Sequence, residues 1–229
     1  MAKSETSFPQ RLQKVKRLVI AAASFTPAYE PADSGLLLPA VTAAIANAAP
    51  LNDAVATAIT ESSAVVQERV AQIILIKARA TLLLNYIKSN PAWLPSFARA
   101  KILADAVRDM RPKSQAPLPQ PRSTQSYSDV AQNWRSLIAL AIGLPGFSPP
   151  VSNPYLQPAA LTATLTPLTT LNTAAAAHEE TLSTLRQQRV EAYDGPGGLQ
   201  EKFKGLKQAI RGQYGHTSIQ FKQVKGLGW

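Results

Sequence analysis

The sequence predicts an all-α protein made of two tandem, pseudo-symmetric helical-bundle modules, and three observations predict it. Apolar side chains recur at three- and four-residue spacing through most of the chain, where strands would show alternation. The 229 residues are 45% hydrophobic and 17% charged, a composition suited to packed helices. The third observation is an internal repeat. Phe25-Thr26-Pro27 returns as Phe147-Ser148-Pro149, 122 residues later, and Leu51-Asn52 returns as Leu171-Asn172, 120 residues later. Upstream, Phe8, Leu12, Val15 and Leu18 match Val130, Trp134, Leu137 and Leu140. Downstream, Leu36, Val41, Ile45, Val55 and Val70 match Leu156, Leu161, Leu165, Ala175 and Val190.

The first module spans residues 1–110. Ser7 before Pro9 marks a helix start, and the stripe Leu12, Val15, Leu18 and Val19 carries that helix to about Ser24. Pro27 and Pro31 then force an extended loop. Leu36, Val41 and Ile45 mark a second helix, which Pro50 is expected to end. A long helix follows over 51–89, capped by Asn52 or Asp53, with Val55, Ile59, Val66, Ile73, Ile76, Ala80, Leu83 and Ile87 as its seam. Asn90-Pro91 stops it, and a closing helix runs from about Ser96 to Met110.

Residues 111–125, rich in proline, read as an extended linker. The second module, 126–229, repeats the plan with a cap at Ser126 or Ser128. One difference stands out. Asp194-Gly195-Pro196-Gly197-Gly198 cannot continue a helix, so the long element breaks there into a helix-helix turn. The last helices use Leu199, Phe203, Leu206 and Ile210, then Ile219, Phe221 and Val224.

Tyr214-Gly215-His216-Thr217-Ser218-Ile219-Gln220-Phe221-Lys222-Gln223-Val224-Lys225-Gly226 resembles the C-terminal segment of uncharacterised two-copy helical proteins of cyanobacteria and other bacteria. The resemblance implies a duplicated helical build with a Phe-x-Pro loop and carries no activity.

Chemistry is sparse. The chain has no cysteine, which excludes disulfides, thiolate nucleophiles and thiolate metal sites, and it has two histidines. His178-Glu179-Glu180 lacks the Glu-x-x-His spacing that sets metal ligands on one helix face, because adjacent residues point about 100° apart. Glu61 and Glu68, seven apart, share a face and are the remaining candidates, with His178 and Glu180, for a small-ligand or metal-binding bundle. Gly195-Pro196-Gly197-Gly198 has neither the Lys-Ser/Thr nor the preceding strand of a phosphate loop. We expect no enzyme, no catalytic residue, no metal and no cofactor.

Charge is better organised. Residues 1–20 hold Lys3, Arg11, Lys14, Lys16 and Arg17 against Glu5. Residues 200–229 hold Lys202, Lys204, Lys207, Arg211, Lys222 and Lys225 against Glu201. These two ends carry +9 of the formal net charge of +10. If their helices meet, Arg11, Lys14, Arg17, Lys202, Lys204, Lys207, Arg211, Lys222 and Lys225 form one basic face for a polyanion or an acidic partner.

The leading functional expectation is a non-enzymatic structural or scaffold protein that associates with itself or with another protein, with Phe221 and Trp229 as assembly residues. The alternative is a nucleic-acid-associated protein using the basic ends. The N-terminus has no signal-peptide core, and Lys77, Arg79 and Asn85 interrupt the most apolar stretch, so the expectation is a cytoplasmic protein without a membrane span.

Overall fold

The computed structural model describes residues 7–108 and 127–229. The linker expected over 111–125, Met110 and the cap at Ser126 lie outside the described residues. Every regular element among them is helical. The first helix, α1 (Ser7–Ala23), buries Phe8, Leu12, Val15, Leu18 and Ala22 on one stripe. After the proline loop, a 3-10 turn (Ser34–Leu36) starts where the Asp33 carboxylate accepts the Gly35 N–H at 2.8 Å. The very long α2 (Leu38–Ser89) follows.

Contrary to the sequence expectation, α2 runs straight through Pro50. Proline deletes one helical donor and frees the carbonyl four residues earlier, that of Ala46. Pro50 and Ala46 are both exposed, so the freed carbonyl lies on the solvent side of the helix. Buried Ile45, Ala48 and Val55 on the other side hold the helix together.

Next come a 3-10 turn (Pro91–Trp93), capped by the Asn90 side chain accepting the Ala92 N–H, and α3 (Leu94–Arg108). The remaining helices are α4 (Tyr127–Ile142), α5 (Pro158–Thr162), α6 (Leu165–Asp194), α7 (Leu199–Tyr214) and α8 (Ile219–Lys225), with a 3-10 turn at Pro154–Leu156. Between α5 and α6 the Thr164 hydroxyl donates to Leu161 O at 2.6 Å, an alternative to helical pairing that suits a chain break. The break expected at 194–198 is present. Gly197 sits at φ +69°, and a Cβ on Gly195 would lie 2.5 Å from the Glu191 carbonyl oxygen.

The described chain forms two compact units. One takes residues 7–60 together with Glu179–Trp229, and the other takes the described part of Glu61–His178. In the first unit α1 packs on α7 and α8 around Val15, Leu18, Val41, Tyr193, Leu206 and Ile210. In the second, α3 packs on α4, and the core includes Ile76, Leu83, Ile87, Trp134, Leu137 and Leu161. These units are not the sequential halves, because each draws chain from both.

By length and composition α2 would suffice to cross a membrane, and 33% of its most apolar stretch is buried. Its Ile73, Ile76, Ala80, Leu83 and Ile87 belong to the core of the second unit, and Arg79 donates to Ala160 O at 2.8 Å.

The first unit carries three perturbed tyrosines. Burial pushes Tyr29 up to about 12, helped by Asp33 and Tyr214. Burial also raises Tyr193, against the lowering effect of the Asn52 amide that donates to its hydroxyl at 2.7 Å, and raises Tyr214. The folded state thus keeps the Tyr29 proton above the unfolded value of about 10. Its contribution to stability is complete below about pH 10 and is lost as the pH climbs towards 12. A near-ultraviolet titration followed alongside circular dichroism should show this late tyrosine ionising together with alkaline unfolding.

Candidate polyanion-binding face

The basic ends do meet, because α1, α7 and α8 pack together within the first unit. The apolar stripe of α1 faces that of α7, formed by Leu199, Phe203, Leu206 and Ile210, and this turns the cations of each helix outward or to its flanks. The α7–α8 connection is tied down by the segment that carries the resemblance noted above. Ser218 caps α8 by accepting the Phe221 N–H at 3.1 Å, and Gly215 ends α7 at φ +86°. Tyr214 Oη and Gln220 Nε2 donate to the Pro27 and Thr26 carbonyls at 2.7 and 3.0 Å, which clamps the proline loop. Within that segment Tyr214, Gly215, Ser218 and Gln220 serve the fold.

Three of the nine basic residues are committed to the fold. Arg11 pairs with Asp194 at 3.3 Å with only 13% of its side chain exposed, and its guanidinium lies 5.5 Å from the Phe8 ring and 5.2 Å from the Trp229 ring. Lys202 donates to Gly35 O at 3.1 Å. Lys207 donates to Lys225 O and Leu227 O at 3.0 and 2.7 Å, neutralising the carbonyl end of α8, and burial holds its pKa below the usual lysine value.

Arg17, Lys204, Arg211, Lys222 and Lys225 are exposed and Lys14 is half-buried. In the amide orientation that satisfies both of its ends, Gln200 bridges Asp194 and Lys204 at 3.1 Å each, which positions Lys204.

Trp229 packs against Phe203 with ring centroids 5.4 Å apart and planes tilted by 45° and covers Arg11, and Phe221 packs against the same core. Both assembly residues are therefore engaged by their own bundle.

Glu61 and His178, from the weakest candidate set, approach to 3.9 Å. Among the described residues no three such groups cluster for a metal. A groove of about 550 Å³ lies between the proline loop and α7, lined by Glu30, Asp33, Leu36, Gly205, Ala209 and Gln213 among others. Two of its polar side chains are already used, since Asp33 caps the 3-10 turn while Gln213 bonds the Glu30 N–H and Ala28 O.

Two residues of consequence escaped the sequence reading. Arg189, 4% exposed, lies 4.2 Å over the Phe8 ring, and Arg69 lies 3.7 Å over the Tyr127 ring. The recurrence of Arg-Val at 69–70 and 189–190 was the available signal. Comparison with protein-family models, curated proteins and solved structures gives no match for this chain.

Proposed function

We propose that this is a non-enzymatic, cytoplasmic binding protein that holds the phosphate backbone of a nucleic acid against the face made by α1, α7 and α8. The observation that carries the reading is the convergence of Lys14, Arg17, Lys204, Arg211, Lys222 and Lys225 on three packed helices, drawn from opposite ends of the chain. Positive charge gathered on a rigid frame favours phosphate contacts without base readout. Scaffold assembly through the C-terminal tail is the weaker reading, since it requires Trp229 to leave Phe203 and Arg11.

The frame itself is best explained by duplication with exchange of halves. The 3-10 turns at Ser34–Leu36 and Pro154–Leu156, the residues Asn52 and Asn172, and the residues Arg69 and Arg189 all recur at the same spacing of 120. Each arginine covers an aromatic ring at the start of a first helix, Phe8 or Tyr127, that belongs to the other copy. Each compact unit thus joins the opening part of one copy to the closing part of the other, as a domain-swapped dimer does. This kinship also accommodates the resemblance to two-copy bacterial proteins.

Anisotropy titrations with a labelled duplex test the binding. Log affinity should fall against log salt with a slope of about −0.9 per phosphate contact, so about −5 if all six cations engage. The variant Lys14→Glu, Arg17→Glu, Lys204→Glu, Arg211→Glu, which spares the structural Arg11, Lys202 and Lys207, should lose binding. Salt-independent affinity, or affinity that survives the reversal, removes the proposal.

A further inference from the structure

We infer that two copies of the chain pair antiparallel through the solvent face of α2 between Glu68 and Lys88. This stands apart from the nucleic-acid reading, because it concerns the other compact unit.

From residue 70 to 84, α2 is apolar on two opposite sides. Ile73, Ile76, Ala80, Leu83 and Leu84 enter the core of the second unit. Val70, Ile74, Leu75 and Leu82 are 41%, 63%, 42% and 44% exposed, and Ala71 and Ala78 lie exposed among them. A soluble helix with one partnered side normally turns charge to water on the other. Here Lys77 and Arg79, both half-buried, flank the stripe without interrupting it.

The pattern within the stripe specifies what covers it. Ala71, Leu75, Ala78 and Leu82 follow each other at spacings of four, three and four, the seam that a second helix fills by knobs-into-holes packing. Small and large residues alternate in it. An antiparallel copy with its two-fold axis between residues 76 and 77 sets Leu75 opposite Ala78 and Leu82 opposite Ala71, each large side chain over a small one, at all four positions. The same register sets the Glu68 end of one helix against the Asn85 and Lys88 end of the other, twice. Both charged residues are exposed. A parallel pair would instead stack Glu68 on Glu68 and Lys88 on Lys88. Complementary size and charge therefore select an isologous, closed dimer.

Sedimentation equilibrium of the full chain tests this, with cross-linking as a second readout that the Cys-free sequence makes clean. The native protein should dimerise with concentration, and Ala78→Glu should raise the dissociation constant roughly 100-fold or more. Ala71→Cys mixed with Leu82→Cys should form a disulfide-linked dimer. Neither variant alone should do so, since antiparallel copies hold like positions about 16 Å apart. If Ala78→Glu loses helix content, the cysteine pair decides. A monomer at every concentration, a dimer indifferent to Ala78→Glu, or cross-linking within each single variant would overturn the inference. So would Ile74-dependent binding to phosphatidylglycerol vesicles by a chain that stays monomeric.

Discussion

Replacing Trp134 by alanine is expected to destabilise the protein by about 3–5 kcal/mol, the range for deleting a fully buried large aromatic. Its indole is wholly inaccessible in the core of the second unit, and its Nε1 donates to the Thr164 hydroxyl at 2.7 Å. Thr164 is itself 4% exposed and spends its proton on Leu161 O. Alanine therefore opens a cavity and removes a buried donor at the α5–α6 break. Phenylalanine should recover most of the volume and forfeit mainly the hydrogen bond, a loss of about 1 kcal/mol. Denaturant unfolding of both variants separates these contributions. Equal stabilities would mean that the indole bond, not the packing, carries the site.

Leu206→Ala and Leu83→Ala are each expected to cost about 2–5 kcal/mol, and the location of the damage is more informative than its size. Both leucines are fully buried, Leu206 in the first unit and Leu83 in the second. Because α1 packs on α7, Leu206→Ala should speed hydrogen exchange in Ser7–Ala23 as well as in Leu199–Tyr214, and leave the α3–α4 pair protected. Leu83→Ala should do the reverse. Independent sequential modules would show Leu206→Ala loosening α4 and sparing α1.

Local periodicity made the helices themselves legible. The α1 stripe of Phe8, Leu12, Val15 and Leu18 and the α7 stripe of Leu199, Phe203, Leu206 and Ile210 are buried as their spacing requires. Pro50 misled because an interior proline's penalty of about 3 kcal/mol is a local cost, whereas Ile45, Ala48 and Val55 around it are held by burial against the rest of the unit. The interleaving of the units was not legible at all. It rests on pairs such as Arg11 with Asp194 and Asn52 with Tyr193, separated by 183 and 141 residues, which no local pattern encodes. The basic face was half legible. Charge type and helix position brought the nine cations to one unit, yet nothing in the sequence distinguishes Lys207, which is held by two carbonyl oxygens, from the exposed Lys204. Trp229 illustrates the same limit. Its partner Phe203 lies on α7, and only the turn at Gly215 brings them together.

The most direct test of polyanion binding by the first unit is an amide chemical-shift map of the full chain titrated with a short duplex at low salt. Perturbations are expected to be confined to α1, α7 and α8, centred on Lys14, Arg17, Lys204, Arg211 and Lys222, and to fade together as salt is raised. Perturbations centred instead on Lys88, Arg99 and Lys101 of the second unit, or no perturbation at all, would contradict it.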